Sequence, residues 1–509
     1  MSLATLQSRA QLGIEAPPVT IEVFLSGGLP TFNVVGLAET AVRESKDRVR
    51  GAIMSSGFRF PQEKITVNLG PADMRKTGGR FDLPIALGIL AASRQVSADR
   101  FPTCEFFGEL ALSGDLRAVP GILPAAIKAA RGGRSIIVPA ANGAEASLAS
   151  GEVAVAASLL DVTAQLHGTL KAPAATMELN SVSEPIVPDL NEVKGQQLAK
   201  RGLEIAAAGG HNILFIGPPG TGKSMLAQRL PGILPCMSDD QAIETAAVDS
   251  VLGRPIDISR WRQRPFRSPH HTASAAALVG GGSEPRPGEI SRAHNGVLFL
   301  DELAEFSRHV LEVLREPMES GRITISRARR QEDFPARFQL VTAMNPCPCG
   351  YSGDPRGDCR CSADAVSRYR ARISGPLLDR IDIQMQVARP PAKVMRPDAG
   401  NEECSAAVAA RVAAARELQL ARSGVCNAQL AGAALNDAFT AGHGVWQLLE
   451  KAMDNLALSA RGCQRVQRVA RTIADLAGDN SISKAHVAEA LALRQFDRGA
   501  ADQARLLAL

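Results

Sequence analysis

Aromatic residues are scarce in this chain: two Trp, two Tyr and 16 Phe make up 4% of 509 residues. A core of stacked rings is therefore excluded, and alanine-rich helices must supply much of the buried surface. No apolar run is long enough to cross a bilayer, which needs about 20 residues. The opening, MSLATLQSRA, has no basic segment leading into an apolar stretch, so no secretory signal is expected and the protein is expected in the cytoplasm, with no membrane partner. Nine cysteines in so long a chain do not make a disulfide framework, and they read as free thiols or metal ligands. Excess charge of one sign is also missing. A formal +5 permits nucleic-acid binding without requiring it.

What is present is a layered pattern. The length exceeds what a single core supports and predicts about three domains. No short-period repeat interrupts the chain. A proline-rich break, KAPAATMELNSVSEPIVPDL at 171–190, predicts a linker between a first domain at 1–170 and a second domain. A weaker break, ARPPAK, lies at 388–393. Between the two breaks, apolar strands alternate with helical stretches, the pattern of an α/β domain at 191–393. Beyond it, apolar residues recur at helical spacing over 406–419 and 461–477, predicting a helical segment at 394–509.

The strand-like HNILFI runs straight into GPPGTGKS, residues Gly217, Pro218, Pro219, Gly220, Thr221, Gly222, Lys223 and Ser224, followed by the helix-like MLAQRL. This is the phosphate-loop pattern in its proper context. Glycines let backbone N–H groups wrap phosphates, Lys223 reaches the outer phosphates of ATP, and the Ser224 hydroxyl can ligate magnesium. A second apolar strand, VLFL, delivers Asp301 and Glu302 at its carboxyl end, where open α/β sheets hold ligands. Asp301 is expected to hold the magnesium through water and Glu302 to polarise the attacking water.

Together with Asn345, which follows a third strand-like run, these motifs resemble an AAA+ ATPase. The resemblance implies that Asn345 senses the γ-phosphate. ISGPLLDRIDI at 373–383 is similar to the arginine-finger segment of the magnesium-chelatase and MCM groups and points to Arg380, an arginine that would act on a neighbouring subunit's nucleotide. LSARGCQRVQRVARTIADL at 458–476 resembles the lid helix with its sensor-2 arginine, Arg461 first and Arg465 second. The glycine- and proline-rich stretch at 264–296 resembles the helix-2 insertion of the magnesium-chelatase-like clade and is not expected to be core. Its His270 and His271 have no cysteine or carboxylate at ligand spacing, so a metal is not expected there.

SGRITISRARRQEDFPARFQLVTAMN at 320–345 has a β-prone run, a polar tip and a return strand, which predicts a hairpin. Arg322, Arg327, Arg329, Arg330 and Arg337 lie on it beside Glu332 and Asp333. In a ring protein such a hairpin would track nucleic acid through phosphate contacts; a solvated, self-neutralised loop is the alternative.

In the first domain, PADMRKTGGRFDLPIALGIL at 71–90 and FFGELALSGDLRAVPGILPAAIKAARGG at 106–133 resemble the proteolytic domain of Lon-type proteases. At the positions of its serine and lysine stand Arg80 and Leu123, while Lys76 and Lys128 are off register. Serine–lysine chemistry is thereby excluded. A Lon-like α+β domain, an AAA+ α/β domain and a helical lid, in that order, resemble the ComM/YifB family over essentially the whole chain. That resemblance implies a hexameric, ATP-dependent DNA helicase promoting branch migration during natural transformation. Its partners would be single-stranded and branched DNA, other copies of the chain and recombination proteins. A chelatase motor, a protein unfoldase without peptidase activity and a non-catalytic DNA scaffold are the rival readings.

Between Asn345 and the Arg380 segment lies NPCPCGYSGDPRGDCRC, with Cys347, Cys349, Cys359 and Cys361. Four thiolates are the usual ligands of a closed zinc site, although Cys-x-Cys is tighter than the favoured spacing. A structural zinc is expected, with reduced, metal-free thiols as the alternative. A four-thiolate site leaves no open position, so the metal would staple the active-site edge rather than catalyse.

Overall fold

The computed structural model describes residues 2–37, 39, 42, 44–170, 187–282, 285–327, 330–354, 357–391, 402–456 and 458–494. Most of the expected linker, Arg329, and residues 392–393 of the second break lie outside the described residues.

The amino-terminal part is built on a seven-stranded mixed sheet. Its strands are β1 (Ser2–Arg9), β2 (Pro18–Ser26), β3 (Thr31–Val35), β4 (Lys64–Gly70), β5 (Cys104–Phe106), β6 (Ser135–Pro139) and β7 (Val153–Ala156), in the order β3-β4-β2-β1-β5-β6-β7. Alternation along β2 turns Val19, Ile21, Val23 and Leu25 inward. Helices α1 (Ser45–Ser55) and α2 (Asp82–Ala92) cover that face. α2 is buried almost all round, as its near-continuous apolar run requires. Helix α3 (Ile122–Arg131) packs against β6 in a smaller cluster.

The central part holds a five-stranded, all-parallel sheet. After α4 (Gln197–Gly209), its elements are β8 (Ile213–Ile216), α5 (Lys223–Arg229), α6 (Asp239–Val251), β9 (Phe266–Arg267) and β10 (Val297–Leu300). The hairpin strands β11 (Arg322–Arg327) and β12 (Arg330–Pro335) come next, then β13 (Gln339–Met344), α7 (Ala363–Arg370) and β14 (Ile383–Gln386). The sheet order is β9-β10-β13-β8-β14. A parallel sheet is buried on both faces, and these strands read accordingly as unbroken apolar runs. Period-two alternation divides them. Ile213, Phe215, Val297, Phe299, Val341 and Ala343 enter one core, and Leu214, Ile216, Leu298, Leu300 and Leu340 enter the other.

The carboxyl-terminal part is helical among the described residues: α8 (Ser405–Ser423), α9 (His443–Leu456), α10 (Ala460–Ala477) and α11 (Lys484–Ala492). Val408, Val412, Val466, Val469 and Ile473 share the first of those two cores with the strands. The tie is polar as well. Asp382, at the head of β14, is 2.6 Å from Arg465 and 3.6 Å from His211, whose other ring nitrogen lies 2.8 Å from the Thr472 hydroxyl. Burial raises the Asp382 pKa, but His211 and Arg465 more than offset it and hold the carboxyl well below the usual range.

One expectation fails. The stretch 264–296 is not wholly outside the core, because Phe266 pairs with Val297 at the sheet edge and its ring stacks 5.9 Å from Phe299. Leu278, Ile290 and Ala293 also fill the second core. Glycine and proline content marked the turns of this stretch, while three well-spaced apolar residues sufficed to dock it.

Candidate functional site

The site lies at the carboxyl ends of β8, β10 and β13, where the loops leaving three adjacent parallel strands converge. A cavity of about 350 Å³ is lined by Pro219 to Met225, Asp301, Glu302, Met344 and Asn345. The loop after β8 can turn so tightly because Gly220 and Gly222 adopt φ of 75° and 90°. Gly217 is needed for a different reason: a Cβ there would stand 2.2 Å from the Val387 carbonyl oxygen.

Lys223, 8% exposed, donates to the carbonyls of Gly217 at 2.7 Å and Pro218 at 2.9 Å and to Asn345 Oδ1 at 3.2 Å. Burial lowers its pKa, and Asp301 and Glu302 oppose that shift. The Ser224 hydroxyl donates to Asp301 Oδ2 at 2.6 Å, and the other Asp301 oxygen accepts the Glu302 N–H at 2.9 Å. Magnesium fits this donor set: a hydroxyl and a carboxylate oxygen already converge, both are hard ligands, and the cavity beside them leaves room for phosphate and water.

Glu302 itself has φ of 53°, a left-handed conformation uncommon for a residue with a side chain. Its carboxylate is 3.1 Å from His271 Nδ1, and His271 stacks on His270 at 4.1 Å between ring centres. The sequence does not reveal this contact, since it offers the two histidines only as candidate metal ligands. Nothing in their spacing could reveal a partner 31 positions downstream.

The structure does not bring Arg380 or Arg461 into the phosphate cavity of their own chain. Arg380 is 8% exposed and paired with Glu319. Arg461 is exposed in the first turn of α10. Arg465 is committed to Asp382 at the opposite, amino-terminal end of the strands, so it cannot serve as a phosphate sensor in this geometry.

The four cysteines do come together. Their sulfurs all lie within 4.8 Å of one another, with Cys347 to Cys349 at 3.3 Å, Cys349 to Cys359 at 3.6 Å and Cys347 to Cys359 at 3.8 Å. A tetrahedron with zinc–sulfur bonds of about 2.3 Å has edges of about 3.8 Å, so the donor set fits zinc. The Cys349 thiol is held down to about 6, first by the Tyr351 N–H and then by Cys347, while, against opposing backbone hydrogen bonds, its thiol neighbours raise Cys359 and push Cys361 up to about 11. The loop abuts the phosphate loop: a Cβ on Gly350, whose φ is 87°, would stand 2.8 Å from Pro219 Cδ.

The expected hairpin is present, with Arg322 opposite Pro335 and Arg327 opposite Arg330. Ile323, Ile325 and Phe334 anchor its inner face, and Arg322 is exposed. The side chains of Arg327 and Arg330 and the whole of Arg329 lie outside the described residues. Glu332 accepts the Gly13 N–H at 2.8 Å, tying the hairpin to the amino-terminal part.

Arg80, which the sequence resemblance sets at the serine position of Lon-type proteases, is 3% exposed and donates to Gln11 Oε1 at 3.1 Å and to the Pro120 carbonyl. Burial pushes its pKa down to about 10. Leu123 is fully buried. Lys76 donates to the Pro71 carbonyl, and Lys128 pairs with Glu15 at 2.6 Å. The neighbourhood docks on the end of α6: Gln11 Nε2 donates to the Val251 carbonyl at 3.1 Å, and the Gly121 N–H to the Ser250 carbonyl at 2.8 Å.

Three family models match: magnesium chelatase, subunit ChlI, over residues 189–395; subunit ChlI of Mg-chelatase over 21–142; and magnesium chelatase, subunit ChlI C-terminal, over 402–494. YifB of Salmonella typhimurium is 50% identical over 502 residues, covering 98% of each chain. The competence protein ComM of Haemophilus influenzae is 50% identical over 512 residues, and YifB of Escherichia coli 49% over 504, each again covering 98% of both chains.

Proposed function

Because this chain belongs to the ComM/YifB family of magnesium-chelatase-like AAA+ ATPases, we propose that it is a ring-forming, ATP-driven DNA helicase. Its task is branch migration while transforming DNA is integrated by recombination. The observation that carries the ATPase half is the convergence of Lys223, Ser224, Asp301, Glu302 and Asn345 on one cavity at the carboxyl ends of three strands. For the DNA half, support comes from the competence protein to which the chain is similar along its length and from the arginine-bearing hairpin that precedes the Asn345 strand.

In this reading Lys223 leaves the Gly217 and Pro218 carbonyls for the outer phosphates of ATP, and the glycine loop presents backbone N–H groups to them. Ser224 and Asp301 would hold magnesium, which supplies charge neutralisation at the phosphates. Glu302 orients the attacking water and accepts its proton, while Asn345 holds the terminal phosphate. Arg380 gives up Glu319 to reach a neighbouring subunit's nucleotide, so turnover needs the assembled ring, a hexamer by family resemblance. Cys347, Cys349, Cys359 and Cys361 would hold zinc, which would tie the loop between Asn345 and α7 and keep the site's edge in place. Domain roles follow the same division: an amino-terminal Lon-like scaffold at 1–170, the motor at 191–393 and a lid at 394–509.

The test is ATP-dependent migration of a synthetic three-strand junction by purified protein. Strand exchange that requires ATP and disappears in Glu302→Gln supports the reading. ATP hydrolysis without any action on branched DNA would turn it toward a motor that remodels a protein client.

A further inference from the structure

A second cavity, of about 260 Å³, opens between α6 and the segment that leads into edge strand β9. Its wall carries Trp261 and five arginines, Arg260, Arg262, Arg264, Arg267 and Arg292, against the carboxylates of Asp249 and Asp257. Three of these arginines have carboxylate partners: Arg267 and Arg292 share Glu289 at 2.6 Å, Arg292 also lies 3.7 Å from Asp249, and Arg262 lies 3.6 Å from Asp239. Asp257 is occupied in its own turn by the Ser259 N–H and hydroxyl. Arg264 is different. It donates to the Pro235 carbonyl at 2.7 Å and the Asn295 carbonyl at 2.6 Å, and among the described residues no carboxylate pairs with it. Arg260, exposed at the rim, donates from its side chain to Gln263 Oε1 at 3.4 Å, and among the described residues no carboxylate pairs with it. Arg260 and Arg264 therefore leave the cavity with positive charge that no carboxylate among the described residues pairs.

Trp261 stands between those arginines. It is half-buried, and among the described residues no second ring stacks on it and no acceptor takes its indole N–H. The turn that presents it is built rather than loose. Arg262 has φ of 65°, a left-handed conformation uncommon for a side-chain-bearing residue, and is pinned on both sides of Met237. The Met237 N–H donates to the Arg262 carbonyl at 2.9 Å, and Arg262 Nε donates to the Met237 carbonyl at 2.8 Å. An indole on a pinned turn, flanked by the guanidiniums of Arg260 and Arg264 that no described carboxylate pairs, is the combination that holds unpaired strands without regard to sequence: every base has a face to stack and every nucleotide a phosphate.

We propose that this cavity is a single-stranded DNA subsite, taking one unpaired base against Trp261 and the adjoining phosphates on Arg260 and Arg264. It is separate from the hairpin and rests on the DNA-motor reading above. Duplex DNA offers no unstacked base and would gain nothing from the indole.

The chain has two tryptophans, so Trp446→Phe leaves Trp261 as the single indole reporter in the full-length protein. Titration with single-stranded oligothymidylate should quench its emission saturably, and raised salt should weaken the response. By anisotropy of a labelled oligonucleotide, Trp261→Ala should weaken binding about 5- to 150-fold, Trp261→Phe should retain most of the affinity, and Arg260→Glu should lower the salt slope. An unmoved emission and unchanged affinity in Trp261→Ala, with the parent protein still binding the strand, would overturn the subsite and leave the motor reading standing. Quenching by thymidine monophosphate as tight as by the oligomer would overturn it in favour of a mononucleotide site. Failure of the parent protein to bind any DNA would overturn both.

Discussion

In the proposed mechanism Lys223 and Glu302 divide the ATPase chemistry between them, and their variants should fail differently. Lys223 is held by two carbonyls of its own loop, so Lys223→Ala removes the only cation lining the phosphate cavity among the described residues and should abolish nucleotide binding in a direct titration. Glu302→Gln keeps the cavity and should bind ATP normally while turnover falls about 10²- to 10⁴-fold. Normal turnover in that variant would remove Glu302 from its role. Asp382 governs stability instead. A carboxyl whose folded pKa lies below its unfolded value of about 3.9 contributes stability above that pH, and the contribution is lost as pH falls through the folded pKa. Asp382→Asn should therefore cost about 3–5 kcal/mol at pH 7, since it leaves Arg465 without its buried partner. In denaturant melts the gap between variant and parent should narrow below about pH 4. A gap independent of pH would contradict the assignment. At this scale legibility followed sequence distance. The residues of GPPGTGKS are adjacent and their geometry is local, so they could be read directly. His271 on Glu302, and Arg465 on Asp382, are pairings across 31 and 83 positions that only the fold creates.

Among the elements, the hairpin and the cysteine loop were both foreseeable, for different reasons. Ile323 and Ile325 alternate with polar residues across a short polar tip, which is a hairpin by period alone. The cysteines were legible as a set but not as a geometry, because Cys-x-Cys spacing leaves open whether the two pairs meet. They do. Metal analysis of the purified protein should find about one zinc per chain, lost in Cys347→Ser together with Cys359→Ser. A metal-free parent protein with four titratable thiols would contradict the staple. Charge reversal at Arg322, Arg327 and Arg330 should lower DNA affinity and flatten its salt dependence, by about 0.7–0.9 in the logarithmic slope for each phosphate that is no longer neutralised. An unchanged slope would move the DNA path off the hairpin. The stretch 264–296 was misjudged at this same scale. Its glycines and prolines dominate the composition, but Phe266, Leu278 and Ile290 decide where it packs.

For the whole molecule, α/β architecture was legible because both faces of a parallel sheet must be apolar, and VLFL and ILFI say so. Less legible was how far the parts depend on one another. The carboxyl-terminal helices complete a core that begins on the strands, and the amino-terminal part grips α6 through backbone groups of Gly121 and Ser250, which carry no sequence signature. Arg80 shows the same limit. Its sequence position argues that serine–lysine chemistry is gone, but only the structure shows that the guanidinium braces Gln11 and Pro120 beneath the contact with α6.

ATP turnover by the purified protein, measured alone, with single-stranded DNA and with a branched junction, bears most directly on the DNA-motor account. Turnover should rise with either DNA and the rise should vanish in Glu302→Gln. Hydrolysis that proceeds at the same rate whether or not DNA is present would contradict it.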